Sequence, residues 1–184
     1  MTPHSDRVRG LLSRMTWEEK LAQLRIVYRP ALADAVELAR GGIGAVFWPQ
    51  SAAATNALQR TAVTQTRLGI PLLVGLDVIY GQRTIYPTPI GLAASFDPEL
   101  VRRCAALAAR EARSGGVNWT FAPMVDVSYD PRWGRVVEGF GEDVLLTSAL
   151  GRATIEGFQG DDLARDDAIA ATAKHFVAYG AAEG

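Results

Sequence analysis

Short apolar runs alternate with longer amphipathic stretches along most of the chain. The runs "IGAVFW" (43–48), "IPLLVGLDV" (70–78), "VNWTFAPMVDV" (117–127) and "AIAATAKHF" (168–176) have the length of buried strands. They are apolar rather than strictly alternating, which is typical of strands that are covered on both faces. Strands that alternate with helices in this way predict an α/β fold with a parallel sheet.

The stretches between the apolar runs carry helix-boundary residues. Thr16 and Glu19 have the spacing of a capping box. Asp97 stands directly before Pro98, as an N-cap stands before a first-turn proline, and Ser51 is placed to cap another helix. The predicted helices cover residues 5–15, 16–24, 30–42, 51–69, 95–116 and 142–160.

Polar residues fall at the carboxyl ends of the predicted strands. Asp77, Asp126 and the adjacent Lys174 and His175 each follow an apolar run. Doubly wound sheets and barrels share this order of elements, but no GxGxxG stretch follows the first strand and no Walker loop is present. Because the strand ends of a parallel barrel converge on one mouth, the positions of these polar residues favour a barrel.

Composition and charge exclude several classes of function. The 184 residues carry a formal net charge of -1 without a basic block, which argues against a nucleic-acid partner. No stretch has the length of a membrane span, and the N-terminus lacks a signal-peptide core. Cys104 is the single cysteine, and the two histidines lack metal-ligand spacing. We therefore expect a cytoplasmic protein with no metal, cofactor, nucleic-acid partner or membrane partner.

The residues alone leave the roles of these side chains open. Asp77 is either a helix cap or a salt-bridge partner of Arg83, or else an acceptor for ligand hydroxyls. In the loop at 130–143, Arg132 or Arg135 binds a ligand or holds a loop carboxylate such as Glu138 or Asp143, and we assign one arginine to each role.

Lys174 and His175 raise a geometric question because they are neighbours. In an ideal strand their side chains point to opposite faces. Lys174 is then solvent-exposed and His175 belongs to the core, unless the backbone is irregular and both side chains line one pocket.

Three stretches taken together resemble the N-terminal barrel domain of glycoside hydrolase family 3, and above all its bacterial β-glucosidase branch. They are residues 75–101, "NWTFAPMVDVSYDPRWGRVVEGFGED" at 118–143 and "ATAKHFVAYG" at 171–180. The similarity begins near Thr16. It implies that residues 1–184 form the N-terminal part of a (β/α)8 TIM-type barrel, incomplete in this chain, without the later strands and the second domain.

The resemblance also implies a function and a set of site residues. Family members of this branch are retaining glycosidases that hydrolyse terminal non-reducing β-D-glucosyl residues, so a β-glucoside or oligosaccharide is the expected substrate. The positions that match the sugar-binding residues are Asp77, Arg135, Lys174 and His175. The family often has a non-proline cis peptide at the lysine–histidine pair. β-Xylosidase activity remains an alternative, whereas "KHFVAYG" lacks the second histidine of the β-N-acetylhexosaminidases.

No residue of the chain matches the two catalytic carboxyl groups of the family. The nucleophile belongs to an SDW-type motif on a later strand, and the acid/base glutamate belongs to a second domain. Because retaining hydrolysis needs both groups, we expect the isolated chain to be inactive. It should also self-associate through an unpaired strand edge and exposed apolar faces. The other alternative is a non-catalytic truncated barrel fragment that only binds carbohydrate.

Overall fold

The computed structural model of the chain describes residues 3–47 and 51–181. The chain divides into two compact units, Met1–Gly75 and Leu76–Gly184, and each is described by itself. The last residue of the first predicted strand, Trp48, lies outside the described residues.

The first unit has a parallel sheet and four helices. Strand β2 pairs in parallel with β1 through Val27 and Val46, and with β3 through Val46 and Val74. The elements in chain order are α1 (Pro3–Arg14), α2 (Trp17–Gln23), β1 (Ile26–Tyr28), α3 (Leu32–Arg40), β2 (Ala45–Phe47), α4 (Ala52–Thr64) and β3 (Leu73–Leu76). The observed parallel pairing confirms the predicted fold class for this unit.

The helix boundaries of this unit follow the predicted caps at their N-terminal ends. The capping box of Thr16 and Glu19 is present, with the Glu19 N–H donating to Thr16 Oγ1 and the Thr16 N–H donating to Glu19 Oε2. Ser51 caps α4 by accepting from the Ala54 N–H. The helix ends at Thr64, five residues before the predicted stop at Gly69.

Strand β1 was not predicted from the hydrophobic pattern. Its three residues have exposed side chains at Ile26 and Tyr28 and a half-buried one at Val27. A strand this short gives no apolar run, so pairing with β2 rather than local sequence defines it.

The second unit is built around two long helices. Its elements are α5 (Pro89–Ala93), α6 (Pro98–Ser114), β4 (Trp119–Thr120), a short 3-10 helix (Val136–Glu138), α7 (Val144–Gln159) and a second 3-10 helix (Tyr179–Ala181). Asp97 and Asp143 cap α6 and α7 by accepting from the Leu100 and Leu146 N–H groups. Helix α5 was not predicted, since five residues are too few for a helical pattern.

The predicted last strand at 168–176 is not a regular strand. Its backbone runs parallel to residues 118–125, with isolated bridges at Trp119–Ala170 and Met124–Lys174. Five steps separate Trp119 from Met124, whereas four separate Ala170 from Lys174, so the first segment carries one extra residue. This mismatch, beside Pro123 with no N–H to donate, interrupts the ladder.

Candidate functional site

The backbone of the second unit brings Asp77 and Lys174 into fixed positions. Asp77 follows the last residue of β3, and the next N–H, that of Val78, donates to the buried Thr120 Oγ1 at 3.2 Å. Lys174 is held on both sides, because its N–H donates to Pro123 O at 3.0 Å and its carbonyl accepts from Val125 at 2.8 Å. A bond from the backbone to a buried hydroxyl therefore fixes the position of Asp77, and two backbone–backbone bonds fix that of Lys174.

Asp77 and Lys174 form an ion pair. Lys174 Nζ donates to Asp77 Oδ1 at 2.6 Å, across 97 positions of sequence. The lysine side chain is 14% exposed and the aspartate side chain is 40% exposed. Asp77 is therefore neither a helix cap nor the partner of Arg83. The exposed part of its carboxylate can still accept hydrogen bonds from other groups.

Arg135 lies beside this pair in the second unit and holds Glu138 through a bidentate contact. Nε donates to Oε1 at 2.8 Å, and Nη2 donates to Oε2 at 2.6 Å. This guanidinium holds the pKa of Glu138 below its ordinary value, against the effect of burial, and the charges of Lys174 and His175 act in the same direction. The carboxylate in turn raises the pKa of Arg135. Glu138 is therefore an ionised, occupied carboxylate.

His175 is held from three directions. Its Nδ1 lies 2.9 Å from Oδ2 of the buried Asp126. Its Nε2 lies 3.5 Å from Arg135 Nη1. The ring of Tyr179 meets the imidazole edge-on at 4.9 Å between centroids, and Tyr179 packs in the same way on Trp133 at 5.2 Å. The orientation of the imidazole is therefore fixed by its neighbours.

The structure brings the four predicted site residues into one cluster. Asp77 contacts Lys174, Arg135 contacts His175, and the Lys174–His175 peptide bond is cis. Both side chains of the lysine–histidine pair join polar partners here, rather than one pointing to solvent and the other to the core.

The two arginines of the loop both hold loop carboxylates. Arg132 is bound to Asp130, and the exposed arginine holds the pKa of this carboxyl below its ordinary value. Arg135 instead makes contacts beyond its carboxylate, to His175 and to Met124 Sδ at 3.3 Å. Both arginines thus hold a loop carboxylate, and the assignment of one of them to ligand binding stays a prediction.

The sequence interpretation did not recognise what Asp126 and Tyr179 contact. Asp126 was noted only as a polar residue at a strand end, and Tyr179 only as a position without histidine. The available signal was an acid within the apolar run "APMVDV", which burial without a partner would make costly.

The cluster offers several hydrogen-bonding groups of different kinds. A carboxylate accepts, an ammonium and a guanidinium donate, and an imidazole does either. In residues 3–47 and 51–181, no group of three His, Cys, Asp or Glu side chains is placed to hold a metal ion. The arrangement suits a ligand with several adjacent hydroxyl groups.

None of the helices in the part of the chain described here is both long and apolar enough to cross a bilayer.

A parallel α/β fold with charged side chains gathered after its strands is the arrangement of a barrel-type enzyme domain. Comparison with known proteins also indicates a domain of this type. Residues 16–184 match the Glycosyl hydrolase family 3 N terminal domain, and the chain belongs to this family.

The relatives of the chain include β-glucosidases and β-xylosidases, and similar solved structures include β-glucosidases. The periplasmic β-glucosidase of Salmonella typhimurium is 42% identical over 181 residues, which cover 96% of this chain and 24% of that protein. A putative β-xylosidase of Formosa agariphila is 35% identical over 202 residues, covering 95% of this chain and 26% of that protein. The crystal structure of a Listeria innocua β-glucosidase in complex with glucose superposes with a TM-score of 0.87 and 40% identity, covering 97% of this chain and 27% of that one.

The chain spans about a quarter of the length of these relatives. What it shares with them is the family and the α/β fold of TIM-barrel type, of which the chain covers a part.

Proposed function

We propose that this chain carries the sugar-binding portion of a retaining β-glucosidase-type hydrolase that acts on terminal non-reducing β-D-glucosyl residues. The observation that carries the proposal is the cluster of Asp77, Lys174, Arg135 and His175, whose members contact one another in pairs. The Listeria innocua structure contains glucose, which supports a glucose-sized ligand.

The hydrogen-bonding groups of the cluster match the hydroxyls of a sugar ring. The exposed side of Asp77 accepts from hydroxyl groups, and Lys174 has two further N–H donors beyond the one used by Asp77. A hydrogen bond to a charged group contributes about 1.5–3 kcal/mol, more than one between neutral groups. Ionised partners around a neutral sugar therefore favour tight binding of its hydroxyls.

The acids of the loop at 130–143 do not replace the missing catalytic groups in this proposal. Glu138 is ionised, and its two oxygens accept from Nε and Nη2 of Arg135, so it has no proton to donate. Asp143 caps α7. We therefore infer that the chain binds the sugar, while the nucleophile and the acid/base belong to parts of the enzyme outside these residues.

β-Xylosidase activity is a second candidate, because a Formosa agariphila relative bears that name. Xylose lacks the hydroxymethyl group of glucose, and one carbon-sized group in a pocket discriminates by about 1–3 kcal/mol. Titration of the 184-residue chain with D-glucose and D-xylose compares the two. Tighter binding of glucose supports the first candidate, and tighter binding of xylose supports the second. Binding of neither sugar contradicts both.

Turnover by the isolated chain tests the assignment of the catalytic groups. We expect no hydrolysis of an aryl β-glucoside by the purified 184-residue chain, and self-association in light scattering. Turnover by a monodisperse monomer would show that the catalytic carboxylates are among the residues of this chain.

The cytoplasmic location stays a prediction, and the Salmonella typhimurium relative is named as periplasmic. Fractionation of cells that express the native gene, with immunodetection in each fraction, decides between the two compartments.

A further inference from the structure

Asp126 is a buried carboxylate whose hydrogen bonds serve one residue. Its side chain is 1% exposed. Within the described part of the chain, the donors to this carboxylate are all on His175. Nδ1 lies 2.9 Å from Oδ2, and the backbone N lies 3.2 Å from Oδ2 and 3.3 Å from Oδ1. A buried carboxylate is unfavourable without donors. The burial of Asp126 therefore depends on the hydrogen bonds that His175 donates to it.

Two glycines bring backbone segments close to Asp126. A Cβ on Gly180 would lie 2.6 Å from Val127 O and 3.1 Å from the Asp126 Cβ. A Cβ on Gly139 would lie 3.2 Å from Asp126 O. A Cβ on Gly180 would clash with Val127 O, so this close approach depends on glycine, whereas one on Gly139 would make a tight contact with the Asp126 backbone. The carboxylate itself is 1% exposed, and a site that is shielded from water strengthens its bond to the imidazole.

The other ring nitrogen of His175 faces a donor. Nε2 lies 3.5 Å from Arg135 Nη1, and a guanidinium has donors only. Nδ1 faces a carboxylate, which accepts only. The carboxylate at 2.9 Å therefore favours one tautomer of the neutral ring, with the proton on Nδ1 and a lone pair on Nε2, and the longer contact with Arg135 adds little to this preference.

We propose that Asp126 is a positioning residue that holds His175 through Nδ1–H, so that the lone pair of Nε2, which meets Arg135 Nη1 only at 3.5 Å, accepts a hydrogen bond from the ligand in place of that long contact. The inference deepens the proposed function and rests on it for the identity of the ligand, a sugar hydroxyl. Without Asp126, the imidazole loses both its fixed orientation and its fixed tautomer. Asp126 itself touches no ligand.

The ring nitrogen signals of His175 test the proposal directly. The chain has two histidines, His4 and His175, so a His4→Gln variant leaves one imidazole to observe. In ¹⁵N-labelled chain without sugar, we expect Nδ1 to show a directly bonded proton and Nε2 to show the signal of an unprotonated nitrogen. The reverse pattern would overturn the proposal.

Two substitutions separate positioning from simple structural support. In Asp126→Asn the amide oxygen can still accept from Nδ1–H, so we expect the same tautomer. In Asp126→Ala the acceptor is lost, so we expect a mixture of tautomers and about tenfold weaker D-glucose binding. Asp130→Asn is the matched control, since Asp130 pairs with Arg132, and the His175 signals should not change.

Each result bears on the proposal. An unchanged tautomer in Asp126→Ala overturns it. If that variant does not fold, the wild-type and Asp126→Asn spectra still decide, because a protonated Nε2 in either contradicts the assignment. Absence of glucose binding by a chain that shows the expected tautomer rejects the proposed function and leaves the positioning of His175 standing.

Discussion

Each of the two units contains an arginine that grips a glutamate with the same geometry. In the first unit, Arg67 donates from Nε and Nη2 to the two oxygens of Glu19, at 2.9 and 2.5 Å. In the second, Arg135 donates from the same two atoms to Glu138, at 2.8 and 2.6 Å. The two pairs differ in the other groups that their members contact.

The pair of Arg67 and Glu19 serves the backbone. Glu19 also closes the capping box of α2, and Arg67 also donates to the carbonyl of Arg14 at 2.7 Å. The pair of Arg135 and Glu138 instead neighbours side chains, namely His175, Met124 and the ring of Tyr179, 5.6 Å from the guanidinium carbon. Two arginine–carboxylate pairs with the same geometry thus differ in their other contacts, which are to the backbone in the first unit and to side chains in the second.

The largest expected effect concerns Asp77, whose carboxylate pairs with Lys174 and is partly exposed. In a polypeptide that joins this segment to the two catalytic carboxyl groups of the family, Asp77→Ala should cost several kcal/mol of transition-state stabilisation, because bonds of about 1.5–3 kcal/mol each are lost to the sugar. The measurement is kcat/KM with an aryl β-glucoside. Glu19→Ala is the control, and an unchanged kcat/KM in Asp77→Ala rejects the role.

The second prediction concerns the packing of a glycine in the second unit. Gly157 lies where α7 approaches α6, and an added Cβ would stand 2.3 Å from Arg102 O and 2.7 Å from the Ala105 Cβ. Gly157→Ala should therefore lower the free energy of unfolding by about 3 kcal/mol, at the upper end of overpacking effects. Denaturant unfolding measures it, and wild-type stability in this variant would contradict the packing described for the second unit.

The contribution of Glu138 to stability should depend on pH. The pKa of Glu138 is depressed below 4.5, so its ion pair stabilises the fold above that pH and the contribution disappears as the pH falls through the lower folded-state value. At neutral pH, Glu138→Gln should cost about 1–3 kcal/mol, and the difference from wild type should shrink below pH 4.5. Urea unfolding at several pH values measures this. A difference that does not change with pH would exclude the ion pair as its cause.

The smallest expected effect has the opposite sign. Gly10 lies within α1, and a Cβ there would meet no atom within 4 Å. Gly10→Ala should therefore raise the free energy of unfolding by about 0.5–1 kcal/mol, through helix propensity and the unfolded chain. Thermal unfolding of the Gly10→Ala and Gly157→Ala variants, measured side by side, compares the two substitutions. Destabilisation by both substitutions would contradict the open space around Gly10 in α1.

Sequence patterns predicted the elements that are long or capped by their own residues. The helices starting at Trp17 and Pro98 are examples, since Thr16 and Asp97 mark their first turns locally. Strand β1 and the interrupted ladder at 170–174 depend on pairing with distant residues, which no local pattern encodes.

The residues of the candidate site also differ in whether the sequence alone could identify them. Asp77 and Lys174 could be singled out because each follows an apolar run, and the resemblance added Arg135. The contact of Asp126 with His175 could not be predicted, because it joins residues 49 positions apart. Only the folded chain shows that the acid faces the imidazole.

Matched substitution of the two arginines tests the central claim most directly. Lysine keeps the charge but loses the planar fork, so Arg67→Lys and Arg135→Lys remove the same geometry in the two units. The measurement is the affinity of the 184-residue chain for D-glucose. We predict that Arg135→Lys weakens binding by about tenfold or more, the loss of one charged hydrogen bond, while Arg67→Lys binds as the wild type does. Equal affinities in the two variants would contradict the assignment of the sugar site to Arg135 and its neighbours.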